Sequence, residues 1–175
     1  MIIQSPYVWI NNVILMNNII MLCGLPASGK SSLCKSYEIQ GYVRLNRDTE
    51  GGSYRDLALK LDQLLIEDQK IIIDNCNFDP ISRKIFLDVC AKYNKQVDAI
   101  WLDTSSDQCH VNAAWRLLEL FPSTNMDNKD LNFTFGPNLL KKNKNPNVFQ
   151  PAIIEKFKKL FQPPVLEEGF SFIQK

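Results

Sequence analysis

Gly24-Leu25-Pro26-Ala27-Ser28-Gly29-Lys30-Ser31 is the stretch on which the reading of this chain turns. It fits the pattern G-x-x-x-x-G-K-[ST], in which glycines let the backbone curl until its N–H groups converge on phosphate oxygens. The lysine of such a loop reaches the outer phosphates, and the following hydroxyl suits a hard cation such as Mg²⁺. A bare match of this kind occurs in random loops, so its setting decides. Residues 19–23 form a short continuous apolar run, the mark of a strand buried on both faces in a parallel sheet. Residues 31–39 read as a helix that ends near Gly41, and its N-terminus adds partial positive charge to the loop. Strand, loop and helix in that order predict a nucleotide phosphate site. Its expected contacts are Gly24, Ala27, Ser28, Gly29, Lys30, Ser31 and Ser32, with ATP as the ligand and Mg²⁺ on Ser31.

The same alternation continues outward. Residues 42–45 are a second strand candidate, and residues 53–68 repeat apolar side chains at helical spacing through Tyr54, Leu57, Ala58, Leu61, Leu64 and Leu65. Ile71-Ile72-Ile73 is another buried strand with Asp74 at its end. Asp79-Pro80 pairs an N-cap with a proline at the first helical position and opens a helix that carries Ile81, Ile85, Val89 and Cys90 on one face. Residues 97–102 read as a strand, 105–120 and 151–160 as helices, and 170–173 as a last strand. Strands that alternate with helices predict an α/β fold of the P-loop NTPase type, three layers with a parallel sheet between helices, plus a helical lid. Residues 121–147 break the rhythm with Asn, Lys, Pro and Gly and read as a flexible insert near that lid. The whole of 1–175 is expected to be a single P-loop domain.

With 175 residues, 45% hydrophobic and 22% charged, the chain sits at the globular average, which excludes a disordered, collagen-like or disulfide-scaffold protein. Five cysteines without a C-x-x-C pair, and a single histidine, His110, predict buried thiols in a reducing compartment rather than a zinc site. His110 reads as a partly exposed helix residue. Asparagines interrupt the apolar N-terminal stretch before any run of the roughly 20 residues that span a bilayer, so no signal peptide, membrane span or membrane partner is expected, and the location is read as intracellular, nuclear or cytoplasmic. The net charge of +1 hides a split. Residues 129–159 carry seven lysines against Asp130 and Glu155, a local +5, while residues 1–128 sum to −3 and residues 160–175 to −1. The neutral total therefore does not exclude a nucleic-acid partner, because the basic stretch suits one wall of a phosphate-binding groove.

Asp74, at the end of its buried strand, is the natural second acid of a phosphate site and the expected partner of Ser31 at the metal. A GTPase would show D-x-x-G there, whereas Asp74 is followed by Asn75-Cys76-Asn77. Asn94-Lys95-Gln96-Val97-Asp98 has its acid one residue too late for a guanine reader. A kinase of hydroxyl groups needs a carboxylate to take the proton, cations on the moving phosphoryl group and a lid against water. Asp48 follows the second strand and so lies on the rim of the phosphate loop, and Arg116 stands on the helix that leads to the insert.

At this point the motifs resemble a family. Asn46-Arg47-Asp48-Thr49-Glu50-Gly51-Gly52-Ser53 looks like the segment after the second strand in 5′-hydroxyl polynucleotide kinases, closest to the kinase domain of polynucleotide kinase–phosphatases. Gly41-Tyr42-Val43, Ile73-Asp74-Asn75-Cys76-Asn77, Asp79 with Ser82-Arg83, Asn112 with Trp115-Arg116, and Pro164-Val165-Leu166-Glu167-Glu168-Gly169-Phe170 follow in the same order. The likeness runs from about residue 19 to residue 173. It implies an ATP- and Mg²⁺-dependent polynucleotide 5′-hydroxyl kinase for the end healing of DNA or RNA. It implies Asp48 as general base, Lys30 and Arg116 on the ATP phosphates, and Asp74 as the second nucleotide acid. It places Arg47, Asp48, Arg55, Asn75, Cys76 and Arg83 along the nucleic-acid substrate.

Some positions depart from the family. Cys76 stands where the family usually has Thr, and Ala113 and Ala114 where polar and basic lid residues are common, which leaves Arg116 alone there. No D-x-D-x-T phosphatase motif occurs and no phosphopeptide-binding domain fits the length, so a kinase standing alone is expected. Two other readings share the phosphate loop: a kinase of a small metabolite or antibiotic, which needs no basic groove, and a non-catalytic ATP-binding module, which needs no Asp48.

Overall fold

The computed structural model describes residues 17–120 and 148–175. Five strands form one parallel sheet: β1 (Ile19–Gly24), β2 (Val43–Leu45), β3 (Ile71–Asp74), β4 (Asp98–Leu102) and β5 (Phe172–Gln174), in the spatial order β2-β3-β1-β4-β5. The register runs Ile19 beside Ile71 on one side of β1, and Ile20 beside Asp98 on the other. Apolar runs without alternation form these inner strands because both faces are covered, and β1 and β3 are buried along their whole length. One face of the sheet packs Ile19, Met21, Ile71 and Ile73 against α3 (Tyr54–Ile66) and α4 (Pro80–Lys92). The other face packs Ile20, Leu22, Ile72 and Ile100 against α1 (Lys30–Glu38) through Cys34 and Tyr37. This is the three-layer α/β arrangement read from the sequence.

Local signals set the helix starts. Ser53 caps α3 and Asp79 caps α4, each in a reciprocal box with the residue three positions on, Asp56 and Ser82. A four-residue helix, α2 (Arg47–Glu50), begins at Asn46 directly after β2. The expected helix at residue 31 begins one residue earlier, at Lys30. The last strand starts at Phe172 rather than Phe170, because Phe170 turns into the core and Ser171 first bonds its N–H to the Val97 carbonyl.

Two further helices flank the phosphate loop. They are α5 (Ser106–Leu120) and α6 (Ala152–Leu160), which meet around Cys109, Ile154 and Ala27 in a small apolar cluster of their own. His110 on α5 and Glu155 on α6 are 3.0 Å apart. The insert expected over 121–147 lies outside the described residues. Cys23, Cys34, Cys90 and Cys109 are buried free thiols, and burial pushes Cys23, Cys34 and Cys90 each up to about 12, so they are uncharged packing groups. Among the described residues no helix is long and apolar enough to cross a membrane.

One expectation is overturned here. Arg83, placed along the substrate by the resemblance, has no exposed side-chain surface. Its Nε and Nη2 each donate to one oxygen of Glu168 at 2.7 Å, and its Nη1 donates to the carbonyls of Asn77 and Gln162 at 2.9 and 2.8 Å. A helix position tells nothing about a partner 85 residues away. The guanidinium is spent on tying α4 to the chain that leads into β5, and is closed to a ligand. Replacing Arg83 by Ala leaves the largely enclosed Glu168 carboxylate and the two carbonyls without their donor, so urea denaturation should show a loss of about 2–4 kcal/mol. A loss under about 1 kcal/mol would show that the tether carries no structural load.

Candidate active site

The C-terminal ends of β1, β2 and β3 point to one rim, and the turns that leave them build a cleft of about 280 Å³. Its lining includes Ala27, Ser28, Gly29, Lys30 and Ser31 from the loop after β1, Asn46, Arg47 and Asp48 from the turn after β2, and Asp74, Asn75 and Cys76 from the end of β3. Arg116 of α5 closes one side. Of the residues singled out in the sequence, most converge here. Arg55 does not; it is an exposed residue of α3 outside the lining. Gly24, the last residue of β1, and Ser32, in the first turn of α1, also lie outside the lining.

The loop owes its shape to two glycines. Gly24 passes so close to β4 that a Cβ there would lie 2.9 Å from the Leu102 carbonyl and 2.9 Å from Ser28 Oγ. Gly29 caps α1 at φ 102°, in the region that disfavours side chains. Lys30 folds back across the loop and donates to the carbonyls of Gly24 at 3.0 Å and Leu25 at 2.6 Å. Braces come from α5 and the turn before it. Thr104 Oγ1 donates to the Ser28 carbonyl at 3.0 Å, and Asn112 Nδ2 to the Ala27 carbonyl at 2.9 Å. One helical turn beyond Asn112, on the same side of α5, stands Arg116.

The opposite wall hangs on Asn46. Its Oδ1 accepts from the N–H of Asp48 at 2.8 Å and of Thr49 at 3.1 Å, and its Nδ2 donates to the Asp74 carbonyl. The Arg47 N–H donates to Asn75 Oδ1 at 3.1 Å. The two acids differ sharply in setting. Asp74 is 1% exposed, and Arg44 donates to its Oδ2 from Nε at 2.9 Å and from Nη2 at 2.5 Å. Asp48 is 51% exposed, with Arg47 Nη2 3.7 Å away, a weak contact at that separation. Asn75 Nδ2 is a buried donor that lacks a hydrogen-bond partner among the described residues. Burial raises the Cys76 thiol above its ordinary value, so it meets the cleft as a neutral, weakly hydrogen-bonding group.

Several residues of the site went unread in the sequence. Thr104, a brace behind the lining, gave no signal, because its value lies in a carbonyl it reaches across the fold. Pro26, Tyr54, Phe78, Phe149, Ile153 and Phe157 make the rest of the lining. The last three recur every fourth position, a helical face that sequence reading assigns to a core.

Fold, loop and acids together define a P-loop NTPase-type α/β protein. Comparison with known proteins narrows the class. No family model matches the chain. Over 89% of its length it is 26% identical to the bifunctional polynucleotide phosphatase/kinase of Schizosaccharomyces pombe, and it spans 32% of that relative. Over 53% of its length it is 32% identical to an Acanthamoeba polyphaga mimivirus sequence named for the same two activities, and it spans 23% of that protein. The chain thus covers about a third or less of the curated relatives it matches. Among solved structures, Chaetomium thermophilum Kti12 in complex with ADP-AlF3 superposes with a TM-score of 0.56 at 12% identity, over 90% of this chain and 88% of that one, a likeness of fold alone. The resemblance to polynucleotide kinase-type P-loop kinases read from the motifs is thus borne out.

The hydrogen bond from His110 holds the Glu155 carboxyl below its ordinary 4.5. A depressed acid contributes stability above its unfolded value and loses it as pH falls through the folded value. His110→Ala should therefore move the Glu155 titration, followed by ¹³C NMR, upward toward 4.5. A titration that stays depressed would show that the α5–α6 contact is not what holds it.

Proposed function

We propose that this protein transfers the γ-phosphoryl group of ATP to the 5′-hydroxyl end of a polynucleotide, in the end healing of DNA or RNA. The observation that carries the reading is the Asn46-capped turn, which presents a half-exposed Asp48 in the same cleft as Lys30 and the phosphate loop. The names of the two relatives support the substrate class.

The loop N–H groups and the α1 N-terminus bind the ATP phosphates, with Gly24, Ala27, Ser28, Gly29, Ser31 and Ser32 shaping the cradle. Lys30 exchanges its loop carbonyls for phosphate oxygens, and Arg116 meets them from α5. Ser31 and Asp74 fit a Mg²⁺ ion: both are hard oxygen donors, both line the cleft, and the hydrogen bonds from Arg44 fall on Oδ2 of Asp74, leaving Oδ1. Bound there, Mg²⁺ would offset the charge of the phosphates. Asp48 accepts the proton of the 5′-hydroxyl as that oxygen bonds to the γ-phosphorus and the bond to the ADP oxygen breaks. Arg47 and the Asn75 amide, with its unpartnered donor, lie beside the entering end and are suited to hold it, with Cys76 adding a weak contact.

The test is transfer of label from γ-³²P-ATP to a panel of 5′-hydroxyl DNA and RNA oligonucleotides with Mg²⁺. Wild-type protein should label them, and Asp48→Ala should lower kcat by about 10²–10⁴-fold with ATP affinity kept within about twofold. Failure to label any 5′-hydroxyl end, or labelling confined to small hydroxylated molecules, overturns the reading. Full activity in Asp48→Ala overturns the assignment of the base.

The same reading predicts a salt dependence. If phosphates of the strand meet Arg47 and the lysines of residues 129–159, log affinity for an oligonucleotide should fall linearly with log salt, by about 0.7 per phosphate contact for a single strand. Fluorescence anisotropy across a KCl series checks it, and a flat response would remove the basic wall from the account.

A further inference from the structure

The cleft is polar along the phosphate loop and the Asp48 turn and apolar along α6, where Phe149 also packs against the cluster of Ala27, Cys109 and Ile154. Phe149, Ile153 and Phe157 stand at intervals of four, one face of α6 and the segment before it, and line the cleft together with Phe78. None of the four is fully buried, and Ile153 is 36% exposed. Phe78 and Phe157 meet edge to face at 5.2 Å, which fixes their rings while leaving surface toward the cleft. Proton transfer to Asp48 and contact with phosphates give no use for such a wall. A nucleobase does, since every base has a π-face and stacks on aromatic side chains without regard to sequence.

Two observations say which base, and in what state. Phe78 follows the end of β3, four residues beyond Asp74, on the side of β1 from which β2 and its Asp48 turn also approach. The braces Thr104 and Asn112 reach the loop from the other side, that of β4 and α5. Phe78 therefore stands toward the acceptor end of the cleft, and Phe157 reaches it edge to face from α6. A volume of about 280 Å³ is that of a small-ligand pocket, and the nucleotide phosphates share it. It admits one splayed nucleotide and not a base pair. Outside it, Lys156 and Lys159 are exposed on α6 beside the same apolar face, placed for the phosphates of a strand that leads away.

We propose that Phe78 and Phe157, with Phe149 and Ile153, form a stacking wall for the 5′-terminal base of a single-stranded or unpaired end, and so select such ends over blunt duplexes. The inference rests on the kinase activity proposed above, and the experiment separates the two. Steady-state transfer is measured on three acceptors: a single-stranded oligonucleotide, the same strand with an abasic tetrahydrofuran residue at its 5′ end, and the strand in a blunt duplex. Loss of one stack should raise the acceptor KM of wild-type protein about tenfold for the abasic end. The duplex should be poorer than the single strand. Phe157→Leu, which keeps apolar volume without a π-face, should raise KM for the normal strand by a similar factor, gain little further from the abasic end, and leave the KM for ATP within about twofold. Phe157→Tyr should restore the wild-type pattern.

An abasic end used as well as a normal one, or a blunt duplex used as well as the single strand, overturns the wall while leaving the kinase intact. A Phe157→Leu variant whose ATP KM rises instead of its acceptor KM would assign the wall to adenine and overturn it equally. Absence of transfer to every 5′-hydroxyl acceptor sinks the activity itself.

Discussion

The carboxamide of Asn46 is the contact on which the site depends. Its oxygen collects two N–H groups at the start of α2, and its nitrogen reaches the carbonyl of Asp74 on the neighbouring strand. A capping interaction of this kind stabilises a helix by about 1 kcal/mol, which would mean little for a four-residue helix standing alone. Because the same side chain also bonds β3, the turn is fixed relative to the sheet, and the sheet in turn fixes the phosphate loop, whose Gly24 N–H donates to the Cys76 carbonyl at 3.1 Å. Asp48 is thereby referred to the phosphate site through one buried carboxamide and the backbone bonds of the sheet and loop. Asp in place of Asn46 would cap the helix but, when ionised, supply no donor for the Asp74 carbonyl.

The two acids of the cleft are kept apart in character by their surroundings. Asp74 is enclosed and paired with Arg44, and loss of Arg44 would leave a buried carboxylate without its countercharge. Asp48 is half in solvent and meets Arg47 at a separation that constrains it little. A buried, charge-balanced carboxylate suits a fixed position beside phosphates. An exposed one is free to meet an incoming hydroxyl. The loop opposite them is held by Thr104 and Asn112, so the same α5 that carries Arg116 also sets the curvature of the cradle. The His110–Glu155 pair carries that alignment on to α6 and its apolar face.

Much of this was legible because parallel strands buried on both faces write themselves as apolar runs, and because Ser53 and Asp79 announce their helices with capping boxes. The loop residues and Asp48 follow from the rule that turns at the C-terminal ends of neighbouring parallel strands share one rim. The failures have a common cause in long-range pairing. Arg83 carried no mark of Glu168, yet the two belong to the Ser82-Arg83 and Glu168-Gly169 pieces of the family likeness, so part of that likeness is a buried ion pair and not a substrate contact. The helix α2 is too short to show a period. Phe78 and Phe157 lie 79 positions apart with nothing in the sequence to link them, and only the fold brings their rings together in the cleft.

The central claim is spatial: one hydroxyl oxygen is to lie between Asp48 and a phosphoryl group seated on the loop. A crystal structure of the protein with Mg²⁺, ADP, aluminium fluoride and a short 5′-hydroxyl oligonucleotide tests it most directly. The account predicts the 5′ oxygen within about 2.6–3.2 Å of an Asp48 carboxylate oxygen and in line with the ADP leaving oxygen. A 5′ oxygen held elsewhere in the cleft, with Asp48 turned to solvent, would contradict it.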